Sequence, residues 1–346
     1  MIDVAIVGAP GYAGAELTRL LAAHPTLRPV MLTSAAEAGR SVGDVYPALA
    51  PFVDAVYVEP DPARIASRCK VAFLAVPHTT ALEIAPALLE AHVTVVDASA
   101  DFRLKDPGVY EQWYGVPHTS HELLAEAVYG LPEFDRSQLP GARLVACPGC
   151  YPTATILAAA PALESRIARG ERVIVDAKSG VSGAGRTPGS GTHFPAVHES
   201  LAPYKVTSHR HTPEIEQGLS LVTGVDTRVV FTPHLVPITR GLLATVYLEL
   251  NEEISDAEAV ALYRERYRDE PFITVHDAGR MPSTLEVRGS NRAHIGLAVD
   301  RHAGMLIVVC AIDNLVKGTA GQAVQCANLA LGLPETAGIN LPVPVV

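Results

Sequence analysis

Residues 4–14 constrain the fold of this chain more than any other stretch. Val4 to Val7 is a short apolar run ending on glycine, which predicts a buried parallel strand. Gly8, Ala9, Pro10, Gly11, Tyr12, Ala13 and Gly14 follow, and Gly11 to Ala23 has helical periodicity with Leu17, Leu20 and Leu21 on one side. In this G-x-x-G-x-x-G spacing Gly8 makes a tight turn, Gly11 lets backbone approach a pyrophosphate, and Gly14 brings the helix against the sheet. The strand–turn–helix context predicts a bound dinucleotide; the competing reading is a purely structural glycine turn. Further strands are predicted at Val30 to Thr33, Val71 to Val76 and Val93 to Asp97, with a helix from Thr80 to Ala91. This alternation predicts an α/β, Rossmann-type, doubly wound parallel sheet.

The end of the second strand discriminates between cofactors. An acidic residue there binds the ribose 2′-hydroxyl of NAD. Here Thr33 and Ser34 stand in its place, followed by Arg40 and Ser41. Hydroxyls and an arginine suit a 2′-phosphate and predict NADP, against a surface loop with an incidental arginine.

Cys147-Pro-Gly-Cys150-Tyr-Pro-Thr153 is the densest chemical feature. The apolar run Ala142 to Ala146 predicts a strand leading into it, and Thr153 to Leu163 predicts a helix leading out. A cysteine at a helix start meets unsatisfied N–H groups and the positive dipole end, which favour the thiolate. Cys150 is therefore read as a nucleophile. Other readings of the C-x-x-C spacing are a redox pair, a metal site and two buried small hydrophobes. Cys310 and Cys326 do not supply the second ligand pair that a zinc site needs, and no metal set is assigned.

His209-Arg-His211-Thr-Pro-Glu214 is the second constellation. Two histidines two apart on an extended segment face the same way. A proton-transfer partner for the cysteine is the economical inference, with metal binding by His209, His211 and Glu214 as the alternative.

Past Cys150 the pattern becomes β-rich. Strands are predicted at Val173 to Ala177, Arg228 to Phe231, Leu242 to Leu250, Ala293 to Val299 and Leu306 to Ile312, interrupted by one surface helix, Ser255 to Arg268. This predicts an α+β domain with a mixed sheet. Gly318 to Leu331 reads as a final helix returning to the first domain. The predicted division is a nucleotide domain at 1–149, completed by 318–346, and a catalytic, substrate and oligomerisation domain at 150–317; 346 residues are enough for both. Gly180 to Gly191 reads as a mobile functional loop.

A formal net charge of −10 argues against nucleic acid as a partner. No apolar run reaches the ~20 residues of a membrane span. The start of the chain has no basic leader, and five scattered cysteines do not form a secreted disulfide framework, so the cytoplasm is expected.

Taken together these segments resemble the N-acetyl-γ-glutamyl-phosphate reductase family, NADPH enzymes of arginine biosynthesis. The resemblance runs through Gly8 to Gly14, Ala75-Val-Pro77-His78, Asp97-Ala-Ser-Ala-Asp-Phe-Arg103, Trp113-Tyr114, Pro148 to Thr153, Ser179-Gly-Val-Ser182-Gly183-Ala184-Gly-Arg186, His209 to Glu214 and Asp313-Asn314-Leu-Val-Lys-Gly318. It covers essentially the whole chain. The related aspartate-semialdehyde dehydrogenases share the fold and cysteine chemistry but not this set. The resemblance implies a semialdehyde-dehydrogenase-like fold, Cys150 as nucleophile and His209 as catalytic acid and base. It implies a nicotinamide contact from Asn314. Pro77, Ser182, Gly183 and Ala184 are assigned to the cofactor, the last three wrapping nicotinamide or pyrophosphate, and Ser179, His211 and Glu214 to substrate, with orientation of His209 as the alternative for His211 and Glu214. Arg103, after a predicted strand end, is assigned to substrate, with a surface salt bridge as the alternative. Two departures stand out: Cys147 where the family commonly has asparagine, and Pro10 where it commonly has serine. Proline removes one N–H from the pyrophosphate loop.

The implied reaction is reduction of N-acetyl-γ-glutamyl phosphate to the 5-semialdehyde and phosphate through a cysteine thioester, in a homo-oligomer, dimer or tetramer. Competing readings are the lysine-pathway reductase of an aminoadipyl phosphate, one methylene longer, and a non-catalytic NADPH-binding sensor. The Cys147 spacing adds a further expectation, reversible oxidation that joins it to Cys150.

Overall fold

The computed structural model describes residues 1–343; residues 344–346, part of the expected C-terminal segment, lie outside the described residues. The chain divides into two compact units, passing from the first to the second between Pro148 and Gly149 and back between Gly318 and Thr319.

The first unit carries a six-stranded sheet of β1 (Ile2–Val7), β2 (Leu27–Thr33), β3 (Val71–Leu74), β4 (Thr94–Asp97), β5 (Val128–Tyr129) and β6 (Leu144–Ala146), in the order β2-β1-β3-β4-β6-β5. Every pairing is parallel. The inner strands are buried on both faces, as β3 is throughout, so they read as unbroken apolar runs. The chain leaves β1 toward β2 on one side and later returns to pair β3 on the other. That reversal is a topological switch point, where open α/β sheets bind ligands beyond their strand ends. The glycine loop opens there. The Tyr12–Ala22 helix packs on β1 and β2, and the late Gly321–Ala330 helix packs on that helix and on β4. The final helix is shorter than the expected Gly318 to Leu331, because residues Val316–Ala320 form a wider π-type turn before it.

The second unit carries a seven-stranded mixed sheet of β7 (Arg172–Gly180), β8 (Ala202–Pro203), β9 (Arg228–Val236), β10 (Leu242–Glu249), β11 (Ile273–Val275), β12 (Ala293–Asp300) and β13 (Met305–Ile312). Its order is β11-β12-β13-β10-β7-β9-β8, with β7–β9 and β11–β12 parallel and the other pairs antiparallel. Buried and less buried residues alternate along β7, β9 and β10, so one face is packed. The packing partner includes the Cys150–Glu164 helix, which lies against β10 and β13. It is buried without a break from Tyr151 to Leu163, which explains its apolar character all round.

Pro161 interrupts that helix. It lacks the N–H that Leu157 O would otherwise accept. Tyr267 Oη fills the gap, donating to Leu157 O at 2.6 Å, and Tyr263 Oη donates to Ala158 O at 2.6 Å. Both tyrosines sit on or just after the Asp256–Arg266 helix, which Ser255 caps through a reciprocal bond with Glu258.

The expectation of a single helix interrupting the strands was wrong. Thr212–Thr223 is a second long helix, with Ile215 and Leu219 buried. Gly218 weakens its pattern, and the reason is packing: a Cβ there would lie 2.5 Å from Ile156 Cδ1 of the Cys150–Glu164 helix.

Candidate active site

In the first unit Gly8 has φ +83°, and a Cβ on it would lie 2.3 Å from Ala75 O. Only glycine fits that turn. A Cβ on Gly14 would lie 2.3 Å from Gly8 O and 2.6 Å from Ala9 Cα, so the helix start rests directly on the turn. Gly11 occupies the N-cap of the Tyr12–Ala22 helix without a capping side chain, and the first-turn N–H groups of that helix face the loop. Ala9 and Pro10 are buried, Ala13 is half-buried and Tyr12 is exposed. The N–H groups of Gly8 and Ala9 both donate to Thr33 O, at 3.1 Å each, and Pro10 O accepts from Tyr46 Oη at 2.8 Å. The loop is thus built around glycine and helix-start N–H groups, a fit to a pyrophosphate.

Beyond β2, Thr33 is fully buried, Ser34 Oγ accepts from the N–H of Glu37, and Ser41 Oγ caps a short turn by accepting from Asp44. Arg40 is exposed, with Nη1 2.5 Å from Glu37 Oε2. Glu37 escaped the sequence reading because it lies four residues past the strand end, outside the expected acidic position. Pro77 is exposed just past β3.

The Asp97 to Arg103 segment alternates polar side chains, and each has a structural use. Asp97 accepts from the N–H and hydroxyl of Ser99, and complete burial pushes its carboxyl up to about 7. Asp101 accepts from Thr79 N at 2.7 Å, Ala81 N at 3.0 Å and Tyr110 Oη at 2.8 Å, capping the Thr80–Glu90 helix and holding Thr79 at φ 75°. Arg103 is buried, with Nε donating to Cys147 O at 2.7 Å and Nη2 to Ala98 O at 3.0 Å. Its partners include two main-chain carbonyls, Cys147 O at the turn before Cys150 and Ala98 O just past β4. Cys147 itself is fully buried.

In the second unit Cys150 is the first residue of its helix, with Gly149 at the N-cap. Pro152 fits the first turn, where its missing N–H has no intrahelical use. Glu214, buried, accepts from Gly149 N at 2.9 Å. A Cβ on Gly149 would lie 2.4 Å from His211 Nε2, so glycine lets that ring press against the turn. A Cβ on Gly318 would lie 2.7 Å from Cys150 Cβ, so a second glycine clears space beside the nucleophile.

The two histidines are not on an extended strand, a correction to the sequence reading. Lys205 and Thr207 take left-handed backbone conformations before His209, and His211 is the N-cap of the Thr212–Thr223 helix. The turn still brings the rings to 4.8 Å. His209 packs against Tyr151 at 5.5 Å, Tyr204 at 5.4 Å and Phe231 at 5.3 Å. Burial, with Lys205 and Arg210 adding to it, lowers its pKa to about 4. His209 Nδ1 accepts from His211 N at 3.1 Å, so the neutral ring carries its proton on Nε2. Tyr204 Oη donates to Tyr151 Oη at 3.2 Å; burial, opposed by that bond and reinforced by Cys150, raises the Tyr204 phenol to about 12. Neither tyrosine was singled out from sequence, since an aromatic residue there carries no motif of its own.

Ser182 and Asn314 come together: Asn314 Nδ2 donates to Ser182 Oγ at 2.9 Å, and its Oδ1 accepts from Gly241 N at 2.8 Å. Gly183 and Ala184 are exposed on the same short turn, and Ser179 is buried at the end of β7 with its Oγ 3.0 Å from where a Gly183 Cβ would stand. Arg240, missed in the sequence, lies beside this group and pairs with buried Asp313 at 3.1 Å.

The second unit thus offers a thiol at a helix mouth and a buried neutral imidazole packed on the next residue, Tyr151, and the first unit a glycine loop suited to a dinucleotide. Two family models match the chain, the semialdehyde dehydrogenase NAD binding domain over residues 3–142 and the semialdehyde dehydrogenase dimerisation domain over residues 150–314. An N-acetyl-gamma-glutamyl-phosphate reductase of Halorhodospira halophila is 51% identical, covering 98% of both chains. One of Symbiobacterium thermophilum is 50% identical over 99% of both. Among solved structures, aspartate semialdehyde dehydrogenase II of Vibrio cholerae superposes with a TM-score of 0.72 at 17% identity, covering 95% of this chain and 98% of that one. The Candida albicans aspartate semialdehyde dehydrogenase, solved with NADP, gives 0.71 at 15% over the same shares. These two speak to the fold alone. With both halves matched by family models and reductases half identical from end to end, the chain belongs to the semialdehyde dehydrogenase family, among its N-acetyl-γ-glutamyl-phosphate reductases.

Proposed function

We propose that this chain reduces N-acetyl-γ-glutamyl phosphate to N-acetylglutamate 5-semialdehyde and phosphate, with NADPH, through a thioester on Cys150, as a step of arginine biosynthesis in the cytoplasm. The observation that carries the reading is 51% identity, over 98% of both chains, to a reductase of that name in a chain whose helix-opening Cys150 is followed by Tyr151, packed on buried His209. The first unit binds the cofactor; the second holds the substrate chemistry and the contacts of a homo-oligomer, dimer or tetramer.

Cys150 Sγ attacks the acyl carbon and phosphate leaves, so an S–C bond replaces the O–C bond. The positive end of the helix that Cys150 opens stabilises the developing oxyanion. Bound NADPH supplies the hydride that takes the acyl group to the aldehyde level. His209 keeps its proton on Nε2 and hydrogen-bonds through it to the oxyanion formed on that carbon; that oxygen re-forms the carbonyl as the C–S bond breaks and the sulfur departs as thiolate. His211 and Ser179 face the substrate's polar groups, and Glu214 fixes the turn they surround. Arg103 is assigned to the substrate as a positioning residue, holding Cys147 O on the segment that leads to the nucleophile.

For the cofactor, Gly8 to Gly14 cradle the pyrophosphate, Pro77 lines the strand-end crevice, and Thr33, Ser34, Arg40 and Ser41 surround the adenosine ribose. Arg40, exposed at the surface, would exchange its Glu37 partner for the 2′-phosphate, and the absence of an acidic residue at the end of β2 favours NADP over NAD. Ser182, Gly183, Ala184 and Asn314 hold the nicotinamide side.

The test runs the reaction backward, because the acyl phosphate is labile. Semialdehyde, NADP and phosphate give NADPH absorbance in wild type and none in Cys150→Ala. Turnover without phosphate removes the phosphorylating reaction, and an active Cys150→Ala removes the thioester mechanism. Turnover only of the aminoadipate homologue removes the substrate assignment, and NADPH binding with neither substrate turned over leaves a sensor.

A further inference from the structure

Away from Cys150, three side chains of the second unit converge without a role in the reaction. His276 immediately follows β11, with its N–H donating to Ile295 O at 2.8 Å. His294 is the second residue of β12, and β11 and β12 are paired neighbours. Glu286 ends the short turn Thr284–Glu286 within the excursion that links the two strands. Glu286 Oε2 stands 3.2 Å from His276 Nε2 and 3.2 Å from His294 Nδ1. All three atoms lie within 4.8 Å of one another.

Two features of this cluster point to a ligand. His276 is 6% exposed, and its Nε2 is buried with no hydrogen-bond partner although it faces the carboxylate at 3.2 Å. One carboxylate oxygen is shared between two imidazole nitrogens, hydrogen-bonded to His294 Nδ1 at 3.2 Å, and each nitrogen offers a lone pair in the tautomer that carries its proton on the other ring nitrogen. With metal–ligand bonds of ~2.0–2.1 Å, the edge of a tetrahedral zinc site is roughly 3.3–3.4 Å. The two nitrogen–oxygen distances are close to that edge. The rings cross at 80°, with centroids 5.2 Å apart, so their nitrogens converge from different directions. Arg280 Nη2 lies 3.4 Å from the other oxygen, Oε1, and orients the carboxylate.

We propose that His276 Nε2, Glu286 Oε2 and His294 Nδ1 bind a zinc-class divalent cation, with water in the fourth position. Two neutral imidazoles and one carboxylate are the donor set such an ion takes. The role is structural. The ion closes the β11–β12 excursion, which carries Thr284 against Gly241 and delivers the Gly289 N–H to Asp313 Oδ2 at 2.6 Å.

The test uses the full chain, stripped with a chelator and with Cys150 blocked by iodoacetamide so that its thiol takes no metal. Cobalt(II) is titrated as the spectroscopic probe. The expected result is one ion per chain, visible bands of nitrogen and oxygen ligation, no sulfur-to-cobalt band, and a melting temperature raised by zinc. His294→Gln and Glu286→Gln each weaken binding at least ~100-fold, beyond the ~10–100-fold cost of outer-shell changes. X-ray absorption on the zinc-loaded wild type, independent of any variant's folding, reports two imidazole nitrogens. No binding to the blocked wild type, affinity unchanged in either variant, or absorption lacking the two imidazoles overturns the proposal.

Discussion

The neutral state of His209 can be tested without turnover. Its pKa drops from the ordinary 6.5 to about 4 because the ring is buried among Tyr151, Tyr204 and Phe231, with Lys205 and Arg210 nearby. At pH 6 a histidine of pKa 6.5 is roughly 75% protonated, and one of pKa 4 roughly 1%. The shift corresponds to ~3 kcal/mol held against the charged ring. Because the folded pKa lies below the unfolded one, the unfolded chain binds more protons between these values. Stability from this group is complete above pH 6.5, falls as the pH drops through 6.5, and levels off below about 4. Carbon-13-labelled histidine in wild type and His209→Gln identifies the ring by its missing resonance. We expect that resonance to titrate near pH 4, and we expect His209→Gln to lose less stability than wild type between pH 6.5 and pH 5. A midpoint at or above 6.5 would refute the reasoning. It would mean that a charged partner, such as a Cys150 thiolate, outweighs burial.

Gly8→Ala forces a side chain into Ala75 O at a left-handed φ, so NADPH affinity falls while alkylation of Cys150 is unchanged; an unaltered NADPH titration contradicts the turn's role. Gly318→Ala places a carbon 2.7 Å from Cys150 Cβ, and kcat falls by up to ~100-fold with NADPH binding intact. Wild-type kcat in that variant shows that the space beside Cys150 is not needed. Tyr267→Phe strips Leu157 O of the donor that stands in for the missing Pro161 N–H and lowers stability by about 1–3 kcal/mol, read from thermal melts. An unchanged melt means that another donor reaches that carbonyl.

The parallel sheet was legible because its inner strands are continuous apolar runs, and the glycine loop because Gly8 and Gly14 are sterically obligatory. The thiol at the helix start was legible for a similar reason, since strand, Pro-Gly turn and helix are local. What was hidden depends on contacts between distant segments. The Thr212–Thr223 helix was missed because Gly218, chosen for approach to Ile156, mimics a helix breaker. The Asn314–Ser182 bond joins residues 132 apart, and the His276, Glu286 and His294 cluster exists only because β11 pairs with β12. His209 and His211 were recognised as a pair for the wrong geometry; the adjacency comes from a strained turn rather than a strand face.

The polar residues around Cys147 to Cys150 divide into those that act on chemistry and those that fix backbone. Within the first unit, Arg103 holds Cys147 O and Asp97 O accepts the Cys147 N–H at 2.8 Å, so the peptide leaving β6 has both polar groups engaged. Within the second, Glu214 holds Gly149 N, and the helix itself holds Gly149 O through the N–H and hydroxyl of Thr153, each at 3.0 Å. The residues on either side of Pro148 are therefore pinned by charged side chains of opposite sign, a cation on a carbonyl and an anion on an N–H. Each is a charge-assisted bond, stronger than its neutral equivalent. Sub-ångström placement of a nucleophile demands backbone that cannot drift. Replacing the Glu214 charge by its neutral isostere, Glu214→Gln, loosens the turn while leaving the thiol and imidazole in place, so steady-state kinetics of that variant show kcat falling more than substrate affinity.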